Sequence, residues 1–286
     1  MVAFHFTPVS RPLDEELLLA IIDGDTVDIR ATVRMVSIDT PEKEHVAGPP
    51  VTAQATLDRC RTRLMDGTYD ALPQDLRDYL IGRITPDAAA RHIAAGNRAT
   101  AELQALKQRR LTRPDGTERK ARVIATGELI EDNGRILGYL TPWFAGSAAD
   151  PLPPPSDPDR RTMNLDMVAS GWAAMFLIYP SIPRDADLAL LLDAADTAWT
   201  GKLGAWAEFG HDLLLGYEYR ACIKLGVKNL IDPAKTIDKA YRRVCIDLQN
   251  LQNVGLYGYH QVPPQHRLWI WQDQIQQASH ALGLPQ

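Results

Sequence analysis

Residues 22–42 read IDGDTVDIRATVRMVSIDTPE, a run in which two acidic turns bracket an alternating segment. Val27, Ile29, Ala31, Val33 and Met35 alternate with Asp28, Arg30, Thr32 and Arg34. That is the period of a half-buried strand, so strands are expected over 16–22 and 27–38. Asp23-Gly24-Asp25 between them carries turn chemistry. Pro41 biases Thr40 away from helical geometry and has no N–H for a sheet ladder, so Asp39-Thr40-Pro41 ends the second strand.

Working outward, residues 43–84 read as a helical insertion, with helices over 52–65 and 74–81. Thr85-Pro86-Asp87 is a firmer helix start, with Thr85 as cap and Pro86 at the first helical position. That helix runs to about residue 110 and is weakened at Gly96. Strands over 122–128 and 135–143 flank Asp132-Asn133-Gly134, a hairpin signal. Five prolines between 148 and 158 make the segment at about 148–160 an extended loop. Helices follow over 163–171 and 184–206, with a strand-like stretch at 175–179. Beyond residue 210 the character changes. Residues 217–225 alternate like a strand, and Asp232-Pro233 caps a helix carrying Ile237, Tyr241, Val244, Leu248 and Leu251. Strands around 257–262 and 268–271 precede a short last helix. The expected division is a main domain at 1–210 and an α+β subdomain at 211–286, near the lower size limit for folding alone and leaning on the main domain.

Of the 286 residues, 45% are hydrophobic and 23% charged, the composition of a globular protein. No apolar run reaches the length of a membrane span, so no membrane partner is expected. The first twenty residues lack the basic and apolar regions of a secretory signal. Cys60, Cys222 and Cys245 are too widely spaced for a disulfide framework or zinc knuckle. A reducing, cytoplasmic setting is expected, with secretion open only to a processed chain. The net charge of −5 gives no general support to nucleic-acid binding. Residues 107–122 are locally basic and read equally well as a phosphate-attracting surface or a solvated one. Tyr257, Tyr259, Trp269 and Trp271 are expected to fill a core more than to stack on bases.

Asp25 and Asp39 close neighbouring strands and can face one point. Two hard oxygen ligands with a backbone carbonyl suit Ca²⁺ or Mg²⁺. Arg34 and Arg135 can grip phosphate oxygens and the charge that develops on them. Glu42, three residues past Asp39, can take a proton from water. Tyr179 ends the strand-like stretch nearby. Each motif alone is a common turn or strand end. Their joint order is what points to phosphodiester hydrolysis.

The order Ile22-Asp23-Gly24-Asp25-Thr26-Val27, then Arg34, then Ile38-Asp39-Thr40-Pro41-Glu42, then Gly134-Arg135-Ile136-Leu137-Gly138-Tyr139 resembles the staphylococcal nuclease (thermonuclease, SNase-like) family. Ala169-Ser170-Gly171-Trp172-Ala173 and Lys202-Leu203-Gly204-Ala205-Trp206 are similar to its last two helices. The resemblance covers about residues 15–208. It implies a five-stranded OB-type β-barrel with three helices, here with the helical insertion and the C-terminal α+β subdomain added. It implies a Ca²⁺-dependent nuclease, with Asp25, Asp39 and the Thr40 carbonyl as calcium ligands and Asp23 supporting them. Glu42 corresponds to the general base, Arg34 and Arg135 to the phosphate-binding arginines, and Tyr179 to a tyrosine of the nucleotide pocket. The implied reaction breaks P–O5′ in DNA or RNA and leaves 3′-phosphate ends. This chain departs from the family in a shorter hairpin before Arg34, in Leu177 where a first pocket tyrosine is expected, in the insertion directly after Glu42, and in its acidic charge. The alternative is a non-catalytic nucleic-acid- or protein-binding module of the same type, in which 211–286 binds a partner or a second copy. Such modules arise by loss of the acids, and none of the expected acids or arginines is missing here.

Overall fold

Ser37 bends the chain at the point where two sheets meet. The structure, a computed structural model, describes residues 18–24 and 26–285. Strands β1 (Leu18–Ile21) and β2 (Val27–Ile29) form an antiparallel two-stranded ribbon. The expected unbroken strand at 27–38 is in three pieces, β2, β3 (Val33–Met35) and β4 (Ser37–Asp39). Ser37 sits at φ 62°, left-handed and uncommon for a residue with a side chain. Its Oγ and the Tyr139 hydroxyl share a buried hydrogen bond of 2.6 Å. The Val36 carbonyl accepts from Asn164 Nδ2 at 2.8 Å. These bonds hold a kink that turns the strand from one ladder into another.

The insertion forms α1 (Pro50–Met65) and α2 (Gln74–Arg83), followed by the long α3 (Ala88–Leu111). Strands β5 (Ala121–Ile124) and β6 (Ile136–Pro142) pair antiparallel, with Gly134 at φ 73° in their turn. Helix α4 (Met163–Ala169) is capped by Thr162, whose Oγ accepts from the Leu165 N–H. Then come β7 (Ala174–Ile178), α5 (Asp185–Thr200) and α6 (Ala205–Phe209). The expected helix at 184–206 breaks because Gly204 adopts φ 51° at the start of α6. The tail supplies α7 (Gly216–Leu225), α8 (Pro233–Ala240), β8 (Arg243–Asp247), β9 (Gln252–Gly255), β10 (Arg267–Trp271) and α9 (Ile275–Leu282).

Three tail expectations are corrected. Residues 217–225 are helical, because Tyr219, Cys222 and Leu225 all enter the core, as a helix allows. The helix from Pro233 stops at Ala240, and Val244–Ile246 are the centre of a strand buried on both faces. The stretch at 257–262 is a 3₁₀ turn, and β9 lies before it.

The fold is α+β. One sheet runs β4-β7-β10-β8-β9, a second β3-β6-β5, and β1-β2 stands apart. Among the described residues no strand set closes into the expected barrel. The reason is local: β7 has β4 antiparallel on one edge and β10 parallel on the other, so the tail fills the edge that closure would use. The tail expected as its own subdomain thereby extends the sheet of the main body. It also shares a core with the insertion, where Leu57, Cys60, Leu64, Tyr69, Leu76 and Leu80 meet Tyr219, Cys222, Leu225, Tyr259 and Trp269. All three cysteines are free and buried. No helix among the described residues is long and apolar enough to cross a membrane.

Leu57 is fully buried at the centre of this shared core. Leu57→Ala is expected to cost about 2–5 kcal/mol, read as a lower urea midpoint at unchanged slope. A cost under about 1 kcal/mol would mean that insertion and tail do not pack as one core.

Candidate functional site

Asp39 ends β4 almost fully buried, and a buried carboxylate requires compensation. It comes from two arginines. Arg220, on α7, donates Nη1 to Oδ1 at 3.1 Å and Nη2 to Oδ2 at 3.0 Å. Arg34 donates Nη2 to Oδ1 at 3.4 Å. Arg220 Nη1 also reaches Glu42 Oε1, while His45 Nε2 stands 3.7 Å from Glu42 Oε2. Burial pushes the Asp39 carboxyl up, but Arg220 and Arg34 outweigh it and hold the group below the ordinary carboxylate range. Burial pulls Arg220 down, and Asp39 and Glu42 more than restore it.

The backbone around this network is fixed by close approaches. The Glu42 N–H donates to His92 Nε2 at 2.8 Å, so His92 carries its proton on Nδ1, which donates to the Leu214 carbonyl at 3.0 Å. The imidazole stacks on Tyr219, centroids 3.8 Å apart. Gly96, expected to weaken α3, lets that helix touch the loop: a Cβ there would lie 2.5 Å from the Glu42 carbonyl oxygen. Gly216, the first residue of α7, is equally constrained. A Cβ on it would meet both Asp39 Oδ2 and the Thr40 carbonyl oxygen at 2.6 Å.

Arg34, Asp39 and Glu42 are therefore brought together. The Thr40 carbonyl lies beside them, against Gly216. Asp25 lies outside the described residues. Asp23 is exposed in the turn of the β1–β2 ribbon, its N–H directed to the Thr26 carbonyl at 3.3 Å. Arg135, at the entry to β6, pairs with Glu131 of its own hairpin and makes no ion pair with the Asp39 cluster. Tyr179 follows the far end of β7, whose Ala174 is the residue opposite Asp39, so about five residues or 16 Å of strand separate them. Leu177 is fully buried core.

Of the implied calcium ligands, Asp39 and Thr40 lie among the described residues. Asp39 Oδ2 and the Thr40 carbonyl both face the Gly216 backbone, and the Asp39 carboxylate is held by Arg220. No three His, Cys, Asp or Glu side chains among the described residues stand close enough to hold a metal. Among the described residues, the counter-charge to Asp39 is a guanidinium, that of Arg220.

Sequence reading missed Arg220 and His92. Arg220 is 181 residues from Asp39 and was seen only as a polar position of an alternating stretch. The basic stretch at 107–122 proves largely self-neutralised: Arg110 binds Asp166 and the Asp159 and Arg161 carbonyls, Arg119 binds Asp150, and Lys107 pairs with Glu118. The chain matches no family model, no curated protein and no solved structure.

Two outcomes follow. Burial, against the opposing Leu214 hydrogen bond, holds His92 at about 3. An unfolded histidine titrates near 6.5, so between those values the unfolded chain binds one more proton than the native protein. Stability is then fully present above about pH 6.5 and falls with pH below it, by up to about 1.4 kcal/mol per unit. Asp39, depressed, contributes above the ordinary carboxylate value and is lost only at lower pH, which separates the two windows. His92→Gln is expected to flatten the slope between pH 4 and 6; an unchanged slope would contradict a buried neutral imidazole. Arg220→Ala leaves Asp39 with Arg34 alone and is expected to cost about 3–5 kcal/mol at pH 7, with partial recovery on adding Asp39→Asn. Additive effects in that double-mutant cycle would rule out the coupling.

Proposed function

We propose that the chain is a nuclease, hydrolysing phosphodiester bonds of DNA or RNA at the Arg34–Asp39–Glu42 cluster, in the manner of the family its motif order resembles. The observation that carries this reading is the single network joining Arg34, Arg220, Asp39 and Glu42, with both arginine side chains partly open to solvent. A guanidinium fork matches phosphate as well as carboxylate. A phosphodiester entering the cluster exchanges with the carboxylates for Arg34 and Arg220. Transfer of Arg220 from Glu42 to phosphate frees the Glu42 carboxylate to take a proton from water. The water oxygen bonds to phosphorus, and the two arginines neutralise the charge that builds on the phosphate oxygens. The P–O5′ bond then breaks, its electron pair leaves on O5′, and O5′ takes a proton from solvent. The 3′ side keeps the phosphate. Arg135 and Tyr179 join only if the hairpin and the end of β7 move toward substrate. No step passes through calcium.

The finer fold reading, an OB-type barrel, is part of the same proposal. Leu19 and Ile21 of β1 stand 62% and 71% exposed, an apolar face that closure onto the neighbouring strands would cover.

A second reading, a non-catalytic nucleic-acid-binding module, is favoured by Arg220 satisfying both carboxylates at once. One assay separates them: pure protein with single-stranded DNA and with RNA, in Ca²⁺ and in EDTA. Cleavage to 3′-phosphate ends is expected in EDTA, slowed at least about 10²-fold by Glu42→Gln or Arg34→Lys at unchanged circular dichroism. Cleavage in Ca²⁺ that EDTA abolishes would show that a cation displaces Arg220 and would overturn the arginine mechanism. Persistence of both substrates in both conditions would leave only the binding reading.

A further inference from the structure

A large cavity lies outside the cluster, in the tail. It is a groove of about 920 Å³ along α8, between α7 and the β8–β10 edge. Five cationic side chains line it, Lys224, Lys235, Lys239, Arg242 and Arg243, against a single carboxylate, Asp232. In a chain of net charge −5 such a concentration stands against the mean. Unlike the basic stretch at 107–122, it is not neutralised from within. Asp232 caps α8 by accepting from the Lys235 N–H and lies 3.9 Å from Lys235 Nζ. Lys224 Nζ donates to the Lys239 carbonyl. Among the described residues, Lys239, Arg242 and Arg243 form no ion pair.

Arg243 is the most informative of the five. Its guanidinium lies 4.0 Å from the Trp271 ring centroid and 5.7 Å from that of Phe176, and its buried Nε has no hydrogen-bond partner. Burial and repulsion by Arg220 and Arg34 pull it down to about 10, against the attraction of Asp39. An arginine in that position lacks an anion. The groove is built on the same elements as the cluster. Arg220 and Lys224 are four residues apart on α7, hence on one face and about one turn apart. Phe176, under Arg243, is paired with Ser37 of β4, two residues from Asp39.

We propose that this groove binds the phosphate backbone of a single nucleic-acid strand, with Arg243 and Lys224 taking the phosphates that lead to Arg220 and with Lys235 and Lys239 taking those further out. Trp271, half-exposed at the rim, offers a ring on which a base can stack. The inference deepens the nuclease reading by giving its site a strand track, and rests on that reading only in calling the strand a substrate.

The test is binding of fluorescently labelled oligo(dT) 12-mer to the full chain, by anisotropy, on a Glu42→Gln background so that cleavage does not intrude. Lys235 and Lys239 are surface side chains, so Lys235→Glu/Lys239→Glu is expected to fold normally. It should raise Kd at least tenfold and lower the slope of log K against log salt by about 1.4, two single-strand phosphate contacts. Lys107→Glu/Arg109→Glu on α3 should leave both unchanged. Equal affinity of wild type and the α8 variant overturns the proposal, as does an equal loss in the α3 control. A separate arm follows cleavage of unlabelled single-stranded DNA and RNA by the chain with Glu42 intact. If no substrate is cleaved while the oligonucleotide still binds through α8, the nuclease reading fails and the groove stands.

Discussion

The clasp of Arg220 on Asp39 and Glu42 is the interaction on which the rest of the arrangement depends. It joins residues 181 positions apart and ties the first helix of the tail to the end of the motif strand. The carboxylate it holds is buried, so the tail is what makes a charge at that position tolerable. Helix α7 carries a second pair of the same kind. Glu218, fully buried, accepts from Arg267 of β10 at 3.3 Å and from the Tyr79 hydroxyl of α2 at 2.8 Å. One ten-residue helix thus bonds to the motif loop, the insertion and the central sheet. Each contact is charge-assisted, and the Glu218–Arg267 pair is fully buried, where such bonds are strongest.

Insertion and tail are complementary for a hydrophobic reason as well. Helices α1 and α2 present leucines and a cysteine, and the turn between them Tyr69, that the motif-bearing strands do not cover. The tail is near the lower size limit for a domain with its own core. Packed together they bury both faces, and β10 completes the sheet against β7. An acidic chain can still hold a concentrated positive surface in this way, because Lys224, Lys235, Lys239, Arg242 and Arg243 collect along one groove with a single carboxylate, Asp232.

How much was legible follows from these contacts. Arg34, Asp39 and Glu42 lie within nine positions of one another, and local turn and strand signals were enough to bring them to one place. The hairpin glycine at 134, the Asp232 cap and the helices of the insertion carry their own local chemistry and were read correctly. Helix α7 was not. Tyr217, Glu218, Tyr219, Ala221, Cys222 and Leu225 are all buried, so the helix lacks a polar face to reveal its period, and chance alternation reads as a strand. The apolar spacing from Ile237 through Val244 crosses a helix end and enters a central strand, where continuous burial erases alternation. Arg220 was invisible because nothing local marks an arginine whose partners lie far back in the chain. The sheet order has the same origin: β10 takes the edge of β7, and that pairing exists only in three dimensions.

The parallel pairing of β10 with β7 carries a kinetic consequence. Leu268 and Leu177 are register neighbours separated by 91 positions, and no short hairpin can bring them together. Such non-local pairing must wait for loop closure before any contact repays it, which makes folding slow. During synthesis at about 5–20 residues per second, the motif strand and the insertion emerge many seconds before the segment that covers them. The apolar faces of α1 and α2 then stand uncovered on the nascent chain until Tyr219, Cys222, Leu225, Tyr259 and Trp269 arrive to pack on them.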